Sequence, residues 1–512
     1  MHLTFCGTRE FFSRSIIFRL LLLLTAAPLV AQAQFVYTTN NNQLTVVQYT
    51  GAGGAVVIPD SVGGQKVVAV GSQAFFQANS MTSLTFGTNV TTIGLNAVFQ
   101  CPALATVVVP PSVTNIADGP FIDCKALTTI SLTTSNSFYT VTNGALFNKS
   151  LKYLIEFPGG VGGSYTVSDI VTNTGEAFIG NSLTYIGVNT TNTIYATSNG
   201  VLCDKQFKQL ISYPGAATGS YTVPSSITTV VSAAFEYASG VTDVTMGTGV
   251  TNIGYAAFYD CSSLTSLSVN AANAFYTTTN GVLFDKAKTV LIQYPSALPG
   301  SYIVPGTVFN ISDGAFGDAA GLTSVVVSDN VTNIGFESFY SCINLSDVVL
   351  GGKVRTIGQA GFFFCPVLQS IVFPATLTSL GFEAFGGCQQ LASACFEGNQ
   401  PTDGGSVFYF DTSLHQILYV NGTTGWTANY DGISTAPCPT CVTVLPTLGI
   451  IEAGTNVVLG WQVNFPGYTL QANTNLLTTN WVTVAPTPTL IGNFYAVTNS
   501  AKVPTKFYRL KH

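Results

Sequence analysis

Apolar and polar residues alternate in short runs along most of this chain, and the runs return at a fixed step. One run is Leu264–Thr265–Ser266–Leu267–Ser268–Val269, apolar at its first, fourth and sixth positions. Such alternation predicts a half-buried strand. Ahead of it lies a second pattern, I-G-x-x-A-F-x-x-C-x-x-L. It reads Ile334, Gly335, Phe339, Cys342 and Leu345 in one copy, and Ile357, Gly358, Phe362, Cys365 and Leu368 in the next. A third copy has Leu380, Gly381, Ala384, Phe385, Cys388 and Leu391. The starts at 311, 334, 357 and 380 are 23 residues apart; those at 70, 93 and 116 repeat the step, as do 230 and 253. A degenerate copy near 174 keeps Gly175, Ala177 and Phe178 but has lost its cysteine. A unit this small cannot bury its own apolar side, so units must stack and share one core. The strands then form a parallel ladder. The helical spacing of Ala, Phe and Cys predicts a helical turn or two per unit. The expected class is an α/β repeat solenoid, mostly β, with short helical turns.

A second unit interrupts the first three times. It runs Tyr139, Asn143–Gly144, Phe147, Phe157–Pro158, Ser164–Tyr165, then Tyr195, Asn199–Gly200, Cys203, Tyr213–Pro214, Ser220–Tyr221, then Tyr276, Asn280–Gly281, Phe284, Tyr294–Pro295, Ser301–Tyr302. Asn-Gly between alternating runs signals a tight hairpin, because both residues tolerate positive φ. β-Meander inserts are therefore expected near 136–168, 192–224 and 273–305.

The 23-residue unit, together with Gly51–Gly54, Val56–Pro59 and the Asn-Gly inserts, resembles the BspA-like leucine-rich-repeat family of bacterial surface proteins. The resemblance covers residues 35 to 435. It implies a right-handed solenoid and a role in adhesion or ligand binding, and it brings no shared catalytic residues.

Around the solenoid, expected at 67–397, the ends read differently. Residues 34–66 hold short β runs that fit an N-terminal cap. Residues 398–441 leave the repeat as a closing cap and linker, with Trp426 as an anchoring ring. Residues 442–512 carry short strands about ten residues apart, such as Val457–Trp461, Tyr468–Gln471, Trp481–Val484 and Phe507–Leu510, which suggests a small all-β, sandwich-like module.

Residues 1–33 read as a signal peptide. Arg9, Arg14 and Arg19 precede an apolar run from Leu20 to Val30, and Ala31–Gln32–Ala33 offers a cleavage point after Ala33. The run is too short to stay in a bilayer, and no later stretch is long enough to span one. The expected location is therefore secreted or cell-surface, with no transmembrane helix after cleavage.

Composition narrows the function. Only 8% of the 512 residues are charged, against 47% hydrophobic, and the net charge is −6. Without a basic patch, nucleic acid is an unsuitable partner. The histidines are His2, His415 and His512. Only His415 lies within the mature body, and a structural or exposed role suits it better than a triad. A multi-histidine metal site is excluded by count, and no cofactor is expected. Cys101, Cys124, Cys261, Cys342, Cys365 and Cys388 share one repeat position that alternates with Ala78, Ala238 and Ala319, which fits a buried ladder. Cys438–Pro439–Thr440–Cys441 leaves three readings: a disulfide between the two or from one of them to Cys395, free thiols, or a functional site. The acids are scattered singly, so no paired-carboxylate enzyme is expected.

The polar positions between the apolar strand residues are the candidate ligand face. They are Thr82, Ser83, Thr85, Thr128, Thr129, Ser131, Thr242, Asp243, Thr265, Ser266, Ser268, Thr323, Ser324, Ser346, Asp347, Gln369 and Ser370. Stacked, they make a neutral, hydroxyl-rich sheet. Two readings stand side by side: a solvated β face, or a surface for an extracellular protein or polysaccharide. The leading function is extracellular binding or adhesion, not catalysis; a structural envelope or matrix component is the alternative, and an extracellular hydrolase a distant third.

Overall fold

The computed structural model describes residues 34–133, 136–441, 449–453, 456–462, 469–474, 481–484, 488–491, 494–500 and 506–511. The expected leader, residues 1–33, with its cleavage point after Ala33, lies outside them. The chain divides into two compact units, Met1–Gly200 and Val201–His512.

In the first unit, Phe35–Asn40 and Gln43–Tyr49 form a hairpin around Asn41 and Asn42, both at positive φ. Gln43–Tyr49 then pairs parallel with Gln65–Val70, which starts a ladder continued by the two-residue strands Thr92–Ile93 and Asn115–Ile116. A second parallel sheet runs through Gly54–Val57, Met81–Thr85, Thr106–Val109 and Thr129–Leu132. Leu84, Val107, Ile93, Phe75, Val98, Cys101 and Leu104 fill the space between them and are fully buried. Tyr139–Thr142, Ala145–Asn148 and Leu154–Glu156 form an antiparallel meander turned at Asn143–Gly144.

The second unit repeats the plan. Tyr276–Thr279 and Val282–Asp285 turn at Asn280–Gly281, and Val290–Gln293 follows antiparallel. From Val290–Gln293 a parallel ladder continues through Asn310–Ile311, Asn333–Ile334, Thr356–Ile357, Ser379–Leu380 and Thr402–Asp403, each step from 310 onward being 23 residues. The template phenylalanines stack along it: Phe316–Phe339 and Phe339–Phe362 centroids lie 4.5 Å apart, Phe362–Phe385 5.0 Å.

Helical turns are not found: the described residues contain no α-helix. The stretch from Ile-Gly to Cys is instead a run of tight turns. Two residues four apart take left-handed φ in the regular coils, such as Glu337 and Ser341, Ala360 and Phe364, and Glu383 and Gly387; in the degenerate coil Gly175 and Gly180 are five apart. A left-handed residue ends a right-handed helix, so helical spacing is present without the helix. The amides point to the next coil: Glu337 N–H donates to Gln359 O at 3.0 Å, Phe339 N–H to Gly361 O at 2.7 Å, and Ser341 N–H to Phe363 O at 2.8 Å. The glycine of Ile-Gly is required by this close stacking. A Cβ on Gly381 would lie 2.2 Å from the Gln359 nitrogen.

The repeat also runs one coil past 397. Asp403–Gly404, Val407–Phe408, Asp411 and Leu414 keep the template spacing, with acids where Ile and Cys stand elsewhere. Phe385 N–H donates to Val407 O at 2.8 Å, so this coil is in the ladder. Gln416–Val420 and Ile433–Cys438 then extend the other sheet, which places Pro437 and Cys438 in a strand whose start is covered at the sheet edge by Asn429–Tyr430. In the C-terminal part, Gly449–Ala453, Asn456–Gln462, Phe494–Ser500 and Thr489–Ile491 make one antiparallel sheet. Thr469–Asn473, Val482–Thr483 and Phe507–Lys511 make another. Leu459, Trp461, Val497 and Leu470 pack together between the two.

Candidate functional site

The strand-face residues stand in short registered rows. Ser83, Thr106 and Thr129 align across three strands of the first unit. In the second unit Ser220, Asp243 and Ser266 align, as do Ser301, Ser324 and Asp347, and Ser370 aligns with Ser393. Neighbours in a row sit one strand spacing apart, about 4.8 Å. Thr82, Thr128, Thr129, Thr265, Ser268, Thr323 and Gln369 are exposed. Ser83, Thr85, Ser131, Thr242, Asp243, Ser266, Ser324, Ser346, Asp347 and Ser370 are half-buried. Thr106, Ser220, Ser301 and Ser393 were not among the expected positions. Thr106 opens a run of three valines that reads as wholly apolar, and Ser220 and Ser301 belong to the inserts' closing Ser-Tyr.

Part of the hydroxyl chemistry is already used. Thr128 donates to Ala105 O at 3.5 Å, Thr265 to Thr242 O at 3.2 Å, Ser131 to Val107 O at 3.3 Å and Ser346 to Thr323 O at 3.2 Å. Thr242 and Ser346 also hold the carboxylates beside them, Asp243 at 2.8 Å and Asp347 at 2.6 Å. These bonds fix short, rigid acceptors outside the backbone ladder.

The face is not continuous. Leu267 N–H donates to Gly281 O at 2.8 Å, so the insert's own turn closes that sheet edge and lies against Ser266. In the first unit Ile186 N–H meets Gly200 O in the same way, at 2.8 Å. The reason is topological: a hairpin stands where the next coil's strand would have paired. The result is separate patches.

Each insert is anchored by a buried asparagine three residues before its tyrosine. Asn273 Nδ2 donates to Gly247 O and Val250 O at 3.0 and 2.9 Å, and its Oδ1 accepts from Phe275 and Tyr276 N–H at 2.8 and 2.9 Å. Asn136 and Asn192 make the same set. The recurring Asn-x-(Phe/Ile)-Tyr was a legible signal for them. At the far end Asp285 Oδ1 accepts from Thr289 and Val290 N–H, both at 2.6 Å, which is turn chemistry.

The acids, scattered along the chain, converge in the turn ladders. In the second unit Tyr255 donates to Glu337 Oε2 at 3.3 Å across 82 residues, beside a cleft of 270 Å³ lined by Tyr255, Gln293, Asn310, Ser312 and Asp313. Burial, with the nearby charges of Asp318, Glu236 and Asp313, pushes Glu337 up to about 8 against the Tyr255 hydrogen bond. In the first unit Glu156 is wholly buried, accepts from Phe121 N–H at 3.2 Å, and is pushed well up by that burial. Linear spacing hid these groupings, because an insert brings together coils it separates in sequence.

The six repeat cysteines are fully buried. Cys342, Cys365 and Cys388 each donate to a carbonyl 26 residues back, at 3.1 to 3.3 Å. Cys441 is bonded to Cys395 and not to Cys438, which keeps its thiol. The sulfurs of Cys395, Cys438 and Cys441 lie within 4.8 Å of one another and are, among the described residues, the group able to hold a metal ion, although the disulfide occupies two of them. His415 is exposed, with its carbonyl accepting from Ser434 Oγ at 3.2 Å.

Comparison with known proteins places the repeat. The sequence matches the BspA type leucine rich repeat region in six copies, over residues 56–162, 213–297 and 309–429, more than half of the chain. No curated protein matches. Among solved structures it is similar to a leucine rich cell surface protein from Faecalibacterium prausnitzii, at 22% identity and a TM-score of 0.40, over 80% of this chain and 98% of that one. It is similar to the pneumococcal vaccine antigen PcpA at 18% identity and 0.36, over 79% and 92%. A leucine-rich repeat protein from Eubacterium ventriosum gives 20% identity and 0.31, over 79% and 94%. The repeat match, with the stacked coils that carry it, makes this chain a member of the BspA-type leucine-rich-repeat family.

Proposed function

We propose that the protein is exported and works at or outside the cell surface, binding an extracellular protein or polysaccharide through the polar strand patches, without catalysing a reaction. The observation that carries this reading is the registered rows, above all Ser301–Ser324–Asp347 and Ser83–Thr106–Thr129. Short side chains held at strand spacing offer a preorganised array of donors and acceptors at little entropic cost on binding. Neutral hydroxyls with single carboxylates suit hydrogen-bonding ligands over polyanions. The family's place among cell-surface repeat proteins and the signal-like first 33 residues support the location, and among the described residues no helix is long and apolar enough to cross a membrane.

The test is a binding screen of the full chain on arrayed glycans and extracellular-matrix proteins, beside a Thr129→Lys, Ser324→Lys variant. A saturable hit lost in the variant places recognition on the strand patches. A hit that survives moves it to the inserts or the C-terminal module. No saturable ligand in either chain sinks the binding reading in favour of a structural envelope or matrix role.

A further inference from the structure

Three cysteines meet where the second unit's long-strand sheet ends. Cys395 lies in Ser393–Phe396, Cys438 closes Ile433–Cys438, and Cys441 follows three residues on. The strand Gln416–Val420 runs between the first two, pairing with both. Cys395 is bonded to Cys441, and the half-buried Cys438 thiol sits 3.7 Å from the Cys395 sulfur while donating to Tyr419 O at 3.4 Å. The seven other free cysteines among the described residues are buried in the solenoid.

We infer that this cluster is a thiol–disulfide exchange site which sets where the segment leading to the C-terminal module is covalently tied. The Cys438 thiolate attacks the Cys395 sulfur. A Cys395–Cys438 bond forms as the Cys395–Cys441 bond breaks, and Cys441 leaves as a thiolate that takes up the proton Cys438 released. One thiol is present before and after, so no oxidant or reductant is consumed. The two pairings close loops spanning 43 and 46 residues. Loop-closure entropy varies only with the logarithm of loop length, so chain entropy favours neither pairing. The pairings differ in consequence. A bond to Cys441 pins the chain beyond the last strand. A bond to Cys438 pins a residue the ladder already holds, and leaves the chain after it without a covalent tie.

The experiment follows the pairing in the full chain, purified without reductant, quenched in acid, alkylated, digested with pepsin and mapped by mass spectrometry. Starting from the Cys395–Cys441 form, incubation at pH 8.5 is expected to generate Cys395–Cys438 with alkylated Cys441 to a share of about 10–90%, the thiol count staying constant. Cys441→Ser is expected to form Cys395–Cys438 on mild oxidation, whereas Cys438→Ser keeps Cys395–Cys441 alone. The inference is overturned if the wild-type chain retains only Cys395–Cys441 after prolonged incubation, or if folded Cys441→Ser alkylates at both Cys395 and Cys438. Should that variant not fold, the wild-type time course decides by itself.

Discussion

Asp411 stands where Cys342, Cys365 and Cys388 stand in the three coils before it, and it carries an acid into that buried column. Burial, reinforced by the Asp431 charge and partly offset by the Cys388 amide, pushes its carboxyl up to about 8. A folded-state value above the ordinary one means the folded chain holds a proton that the unfolded chain releases. The stability this contributes is complete below about pH 4 and is lost as pH rises through about 8. Glu337, at about 8, and Asp123, raised by burial to about 6 despite Lys125, act in the same direction. The thermal midpoint is therefore expected to fall between pH 5 and pH 9, and Asp411→Cys should flatten that slope. Calorimetry across the range checks it, and an unchanged slope in the variant would remove Asp411 from the account. A second residue-scale expectation concerns the left-handed positions. Ser341 takes a φ of 57°, and the next-but-one coil has Gly387 at the same place. Ser341→Gly should stabilise by about 0.5–1 kcal/mol in denaturant titration, while Gly387→Val should cost more than that, its Cβ lying 3.3 Å from the Phe364 ring. The left-handed set was not readable beforehand, because beside Gly387 it falls on Glu337, Ser341, Ala360 and Phe364, residues that do not announce positive φ.

At the scale of elements, the Asn-Gly turns were legible and the turn ladder was not. Asn143–Gly144 and Asn280–Gly281 specify their hairpins by local backbone preference alone, and the structure turns at both. The Ile-Gly-to-Cys stretch satisfies its amides only through the coil beside it, so its local spacing pointed to a helix that the stacked chain does not form. The disulfide depended likewise on which strands become neighbours, a matter no spacing between Cys438 and Cys441 could decide. What ties an insert to its coil is the buried asparagine. Asn273→Ala leaves two carbonyls and two amides unmatched, and a loss of about 2–3 kcal/mol is expected, read from denaturant unfolding of the full chain. A loss below about 0.5 kcal/mol would mean that water or a backbone shift replaces the side chain.

For the molecule as a whole, periodicity carried the architecture, since one coil's pattern repeated at 23 residues demands stacking whatever its internal conformation. The extent of the array was less visible: at Asp403 and Asp411 the template is broken chemically while its spacing survives. The candidate surface was legible as a set of polar positions but not as a map, because the inserts cut it into patches. A nearest-neighbour array also tolerates loss of a whole unit but not of a fraction. Removing residues 357–379 joins Thr356 to Leu380 in unchanged register, and the shortened chain is expected to fold with a single cooperative transition for its second unit. Removing only 357–368 should abolish that transition; circular dichroism melts distinguish the two.

The constant 23-residue pairing also governs time. Most partners in the ladder lie one coil apart along the chain, so closing each contact costs a short loop and never requires the distant end. Each coil that emerges behind its neighbour, after export as at synthesis, finds its docking surface already made by the coil before it. Folding can therefore keep pace with the chain's appearance, in the order in which the coils are made.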